Sequence, residues 1–228
     1  MTRAALFLLA AALLAGCGAG ETSSGTASVW VTRDRGAKVL LVEKVPAGLT
    51  AMQALRRVAE VKTRYGGRFV QAINGLEGSL SGRRDWFYFV NGYEGDRSAA
   101  EYRLHAGDVE WWDYRSWASR SDQHVSVVVG AFPEPFLHGY GGKRRPAVVV
   151  GSDGEAVRAL ARRLRARVLP TDAQAPRDSN LLRIAGSGTT RFAAEGGSSP
   201  GDRVVFTFAG DWRELLRGAF RFRFEVGA

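Results

Sequence analysis

The chain has 228 residues, 45% of them apolar, with 32 Lys and Arg against 23 Asp and Glu, a formal charge of +9. That length allows one domain or two small ones, and the apolar share excludes a disordered chain. The charge is mostly arginine, scattered along the sequence without a nucleic-acid motif, which argues against a DNA or RNA partner.

The chain starts with Arg3 followed by the apolar run Ala4 to Leu14, the layout of a secretory signal. The run is too short for a membrane-spanning helix, which takes about 20 residues. It ends in Leu14-Ala15-Gly16-Cys17, and Cys17 is the only cysteine. The segment resembles the lipobox of bacterial lipoproteins. The resemblance implies a signal peptide over 1–16, acylation of Cys17 and a tether over 17–27 (reading GAGETSSGTA after the cysteine). A membrane contact through the N-terminal lipid and an extracytoplasmic location are therefore expected. With Cys17 acylated, no thiol would remain for disulfides, catalysis or metal binding.

The first globular stretch is expected over 28–117. Ser28 to Thr32 and Val39 to Val45 read as a hairpin around the polar turn Arg33 to Lys38. Thr50 is a candidate N-cap, with Met52, Leu55, Val58, Ala59 and Lys62 at helical spacing and Gly66-Gly67 as the stop. Strands are expected at Arg68 to Ile73, ending in Asn74-Gly75, and at Asp85 to Val90, ending in Asn91-Gly92. Glu101 to Leu104 and Val109 to Tyr114 form the last predicted pair. Two strands, a helix and several more strands give an α+β class with a β-grasp-like sheet and one helix across a face.

A polar linker, Ala118 to Gln123, separates this from a second small α/β or α+β unit over 125–228. Its predicted strands are Val125 to Gly130, Ala147 to Val150, Leu181 to Ala185, Val204 to Phe208 and Phe220 to Val226. Asp153 to Arg165 reads as an amphipathic helix, and Thr171 to Ser179 and Ala193 to Asp202 as exposed loops.

Catalytic signals are weak. His105, His124 and His138 lack metal-ligand spacing, and no G-x-S-x-G is present. Glu134 and His138 share a proline-rich loop without a spacing that selects them as an acid/base pair. Gly151-Ser152-Asp153-Gly154 reads as a helix start with Ser152 or Asp153 as N-cap, in preference to a phosphate cradle. A non-enzymatic protein with no required cofactor and no metal is expected.

The aromatic content is different. Trp86, Phe87, Tyr88, Phe89, Tyr93, Tyr102, Trp111, Trp112, Tyr114 and Trp117 crowd a short span. Strand alternation puts Trp86 and Tyr88 on one face and Phe87 and Phe89 on the other. A helix can cover only one of these faces. The second set must meet solvent, a ligand or the rest of the chain.

Five blocks then stand in order: Pro46 to Leu55, Phe69 to Gly75, Trp86 to Gly92, Ala100 to Leu104, and Gly107 to Trp111. Together they resemble the transcobalamin-like C-terminal domain family, over about residues 28–117. The resemblance implies a small β domain that closes over cobalamin while a helical-barrel domain supplies the other side. Carried over by position, the ligand-facing residues would be Val70, Gln71, Ala72, Ile73, Asn74, Trp86, Phe87, Tyr88, Asn91, Gly92 and Tyr93. Phe87 departs from the family pattern, which has Gln directly after the motif tryptophan, and no helical barrel follows. Either a separate transporter or helical-barrel partner protein supplies the other side, or this domain binds weakly, or it binds something else. The alternative is a scaffold lipoprotein of the cell envelope that docks another protein through its aromatic face.

Overall fold

The computed structural model describes residues 25–119, 123–170, 174–186 and 188–227. The expected signal peptide, Cys17 and most of the expected tether lie outside the described residues, as do parts of the 118–123 linker and of the 171–179 loop. The fold is a mixed α/β arrangement dominated by sheets, with few helices.

Strands β1 (Thr26–Arg33) and β2 (Lys38–Pro46) form the expected hairpin, which takes in Thr26 and Ala27 from the predicted tether. Asp34, Arg35 and Gly36 turn it with positive φ values of 56°, 58° and 78°. The buried Asp113 carboxylate holds that turn by accepting from Arg35 N and Gly36 N, both at 3.0 Å, and from Thr32 Oγ1 at 2.5 Å.

Helix α1 (Ala51–Val58) starts in a capping box: Gln53 N donates to Thr50 Oγ1, and Thr50 N to Gln53 Oε1. It buries Ala51, Met52, Ala54 and Leu55. The helix stops well short of the Gly66-Gly67 pair. The β-branched residues of β3 (Val61–Arg64) pair instead with β4 (Phe69–Ile73), which pairs in turn with β5 (Leu76–Glu77).

Next come β6 (Arg84–Val90), β7 (Tyr93–Glu94) and β8 (Val109–Ser116). The main sheet has the order β2-β1-β8-β6-β7, with β1 and β8 parallel and the other pairs antiparallel. Asn91 and Gly92, with φ of 51° and 87°, make the tight turn expected of Asn-Gly. Glu101 to Leu104 is not a strand: Arg103 alone bridges to Thr50.

Val125 to Gly130 is not a strand either. Val127 bridges Tyr93, and Val129–Ala131 is one 3-10 turn, buried because the segment runs between the two sheets. A short helix, α2 (Glu134–Leu137), follows. The second sheet holds β9 (Ala147–Gly151), β10 (Arg167–Val168), β11 (Asn180–Ile184), β12 (Arg191–Gly196) and β13 (Val204–Ala209), in the order β10-β9-β11-β13-β12. Only β12 runs antiparallel, in a region predicted as loop. Helix α3 (Gly154–Leu164) has Asp153 as its N-cap, and a final short helix α4 (Arg213–Arg217) closes the unit.

The largest apolar cluster includes Val29, Leu55, Trp86 and Trp112 from the first half and Phe136, Leu160, Phe192 and Phe206 from the second. Tyr140 joins them, its ring 4.9 Å from Tyr102 and 5.9 Å from Tyr93. The 118–123 segment thus separates two sheets without separating two cores.

The predicted strand Phe220 to Val226 is an irregular strap. It lies on the outer face of the main sheet, where Phe222 and Phe224 pack against Trp30, Phe89 and Trp111. Gly36 and Gly130 make room, since a Cβ at either would overlap the backbone of Phe222 or Arg223.

Candidate functional site

Strand β6 pairs with β8 along its whole length but with β7 only at Phe89 and Val90. Ser79 bridges Arg84 at the other end. Between those points the edge at Asp85–Tyr88 has no strand partner among the described residues, and a cleft of about 710 Å³ opens along it.

Trp86, Tyr88 and Trp112 make the floor, all from the face that α1 covers elsewhere. Tyr88 and Trp112 stack with ring centres 5.0 Å apart and planes 24° from parallel. Trp86 Nε1 donates to Leu76 O at 2.9 Å, and Tyr88 Oη to Arg97 O at 2.5 Å, so neither ring is free to turn. Burial pushes the Tyr88 phenol well above its usual range, so it stays a neutral donor. The edge itself is partly stopped: Trp86 N donates to Asp85 Oδ1, and Tyr88 O accepts from Gly95 N, both at 2.9 Å.

One wall is Tyr65, Arg68, Phe69 and Val70; the other is the loop Gly95–Ala99. Ser98 Oγ ties the walls together by donating to Arg68 O at 2.6 Å. Gly95 has no room for a side chain, because a Cβ there would overlap the Tyr88 ring. Tyr65 is 77% exposed and Phe69 40%, an apolar rim in water.

Beneath the floor, Glu110 is fully buried. Its Oε1 accepts from Trp112 Nε1 at 2.5 Å, and its Oε2 has no hydrogen-bond partner among the described residues. Burial holds this carboxyl well above the usual carboxylate range and so favours its protonated form.

Of the residues singled out from the sequence, Val70, Trp86, Phe87 and Tyr88 line the cleft. Phe87 sits at its end, under the Arg115 guanidinium at 4.1 Å. Gln71 bonds Glu77, Ala72 and Ile73 are buried in the core, and Asn74 is exposed, its Oδ1 accepting from Glu60 N. Asn91, Gly92 and Tyr93 turn the other way, into the junction with the second half. Asn91 Nδ2 donates to Asp108 Oδ1 and Gly139 O, and Asn91 Oδ1 accepts from Val109 N. Gly92 faces Val128 and Ala131, and Tyr93 packs on Tyr140.

Sequence reasoning missed Tyr65, Arg68, Phe69 and the wall residues Arg97, Ser98 and Ala99. They reach the cleft through loop geometry that no local pattern announces. Trp112 could have been placed, since it directly opposes Tyr88 in the β6–β8 register.

Away from the cleft, His138 Nδ1 and Glu134 Oε2 are 2.6 Å apart, one helical turn from each other. The carboxylate raises the imidazole above its usual pKa. At the start of α3 the Asp153 carboxylate takes the N–H groups of Glu155 and Ala156, as an N-cap does. Among the described residues no group of three or more His, Cys, Asp or Glu could hold a metal ion, and no helix is long and apolar enough to cross a membrane.

Residues 48–116 match the model of a family described as a domain of unknown function, DUF4430. No curated protein matches the chain. Among solved structures, haptocorrin in complex with Cbi aligns at 15% identity with a TM-score of 0.34, over 41% of this chain and 26% of that one. A Ruminococcus gnavus protein, described as a candidate metal-binding protein, aligns at 15% identity with a TM-score of 0.33, over 40% of this chain and 97% of its own. The matched part of this chain thus spans about a quarter of haptocorrin.

Proposed function

We propose that the chain is a non-enzymatic, lipid-anchored extracytoplasmic binding protein whose cleft along β6 takes a large, flat, mostly apolar ligand of the cobalamin class. The observation that carries this reading is the cleft itself. Its volume of about 710 Å³ falls within the range of small-molecule sites, and its floor is a fixed aromatic surface. A corrin is a broad apolar disc rimmed with amides, which suits stacking on Tyr88 and Trp112 and hydrogen bonding at the β6 edge.

The strand order β2-β1-β8-β6, with its parallel centre and crossing helix, supports the β-grasp part of the reading. Acylation of Cys17 would hold the protein at a membrane. A disc seated on an open edge keeps one side uncovered, so a helical-barrel or transporter partner would complete the site and take the ligand onward.

The test uses the chain from Gly18 onward, which keeps every described residue. Cobalamin absorbance should co-elute with it and titration should release heat, with quenching of tryptophan fluorescence. Absence of all three, alone and with envelope extract, sinks the ligand reading. Labelling of the full chain with palmitate, lost in Cys17→Ser, tests the anchor separately.

The exposed Tyr65 and Phe69 favour a second reading, a protein docked on this rim. Cross-linking in intact cells from position 65 would capture one recurrent partner if that reading holds, and none if it does not.

A further inference from the structure

Behind the loop Gly95–Ala99 lies a second cavity of about 480 Å³, and Arg97 lines both it and the cleft. The far side comes from the second half of the chain: Tyr140, Lys143, Arg144, Arg145 and the Pro200-Gly201 turn. Its basic residues are held in place by the fold. Tyr140 and Lys143 exchange backbone hydrogen bonds at 3.1 and 3.2 Å around Gly141 and Gly142, whose φ values are 60° and 72°. Gly141 N donates to Tyr102 Oη at 2.8 Å, which fixes this turn against the first half.

The charges do not cancel. Arg97 is paired with Asp96, and Arg145 stands 3.7 Å from Asp202. Arg144 spends its donors on the carbonyls of Phe136, Leu164 and Arg165, which orient it without neutralising it. Lys143 is exposed, and its ammonium has no hydrogen-bond or ion-pair partner among the described residues. Four cations (Arg97, Lys143, Arg144 and Arg145) against two carboxylates (Asp96 and Asp202) leave 4 − 2 = +2 around one cavity.

We infer that this cavity is an anion subsite of the cleft, so that the molecule whose apolar body lies on Tyr88 and Trp112 carries a phosphate, carboxylate or sulfonate group bound by Lys143 and the Arg97–Arg145 rim. The inference rests on the reading of the cleft as a ligand site. The apolar body is recognised by residues 65–112. The anion is recognised mainly by residues 140–145, which lie outside the 48–116 family match. Arginine and lysine bind such groups through charge-assisted hydrogen bonds that are stronger than neutral ones. Arg97, on the loop between the cavities, is within reach of a group anchored in either.

Two dyes with one body separate the two ideas. 8-Anilinonaphthalene-1-sulfonate carries an anion, and N-phenyl-1-naphthylamine has the same rings without it. Fluorescence titration of the chain from Gly18 onward should give about tenfold tighter binding of the sulfonate at low salt, one decade being about 1.4 kcal/mol. Salt at about 0.5 M should shrink that gap, because exposed charges are screened. Lys143→Glu, on an exposed turn, should weaken the sulfonate about five- to tenfold and leave the neutral dye unchanged, with Lys143→Ala between them. Equal affinity for the two dyes, or a sulfonate affinity untouched by Lys143→Glu, overturns the anion subsite and spares the cleft. If neither dye binds, the cleft reading falls and the subsite with it. Far-UV circular dichroism of each variant shows that it is folded.

Discussion

The two faces of the main sheet are both aromatic and bury their tryptophans alike, Trp86 and Trp112 being 5% and 3% exposed on the inner face, but only the inner face ends at a cleft along a strand edge. On the outer face, Trp30, Phe89 and Trp111 are at most 4% exposed, because Phe222 and Phe224 from the chain's own C-terminal strap lie across them. On the inner face α1 covers only part of the surface. Trp86, Tyr88 and Trp112 run out to a strand edge that no neighbour pairs, and a cleft remains there. Aromatic density by itself therefore did not mark the site. What marks it is the short β7, which leaves the outer edge of β6 at Asp85–Tyr88 without a strand partner among the described residues, together with a loop wall that Gly95 lets close against the Tyr88 ring.

The largest effect is expected on the sealed face. Phe224→Ala should cost about 3–5 kcal/mol, the usual range for truncating a buried phenylalanine, read from urea unfolding. It should leave the cleft's affinity for cobalamin, or for either dye, unchanged in the folded protein. A loss of stability under about 1 kcal/mol would mean that the strap is not part of the core.

A smaller effect of opposite kind is expected at the open face. The double variant Tyr65→Ala, Phe69→Ala removes exposed rim rings. It should lower cleft affinity about tenfold, or 1.4 kcal/mol, with little change in unfolding midpoint. A large stability loss with unchanged affinity would reverse the assignment of the two faces.

The last effect, read from pH dependence, belongs to Glu110, beneath the cleft floor. Its folded pKa is raised, so the native state holds a proton that the unfolded chain gives up near the usual carboxylate pKa. The stability this contributes is present below that pH and falls as pH rises toward the folded value. Glu110→Gln stays neutral at every pH and keeps an acceptor for Trp112 Nε1. Its stability relative to the native chain should therefore rise as pH climbs above the usual carboxylate range, measured by urea unfolding at each pH. A difference that is flat with pH would show that Glu110 ionises without penalty.

Much of the local structure could be read from residue order. Thr50 with Gln53 dictated a helix start, Asn74-Gly75 and Asn91-Gly92 dictated tight turns, and Asp153 dictated the start of α3, because each satisfies backbone groups within a few residues. Where the reading failed, long-range contact had overridden local preference. Val61–Arg64 left the helix to pair with β4, and the valines of 125–129 and the phenylalanines of 220–224 became buried or half-buried irregular segments. Their apolar character was visible, but the surface each would cover was not.

The same division holds for the site. Alternation along β6 determined that Trp86 and Tyr88 would share a face, since successive side chains in a strand must point to opposite sides. Only the tertiary structure decided that this face opens at an edge, that Asn91 and Tyr93 turn inward, and that Lys143 to Arg145 come beside Arg97. A pleat fixes the direction of a side chain from its neighbours alone. What stands opposite that side chain depends on how the whole chain returns upon itself.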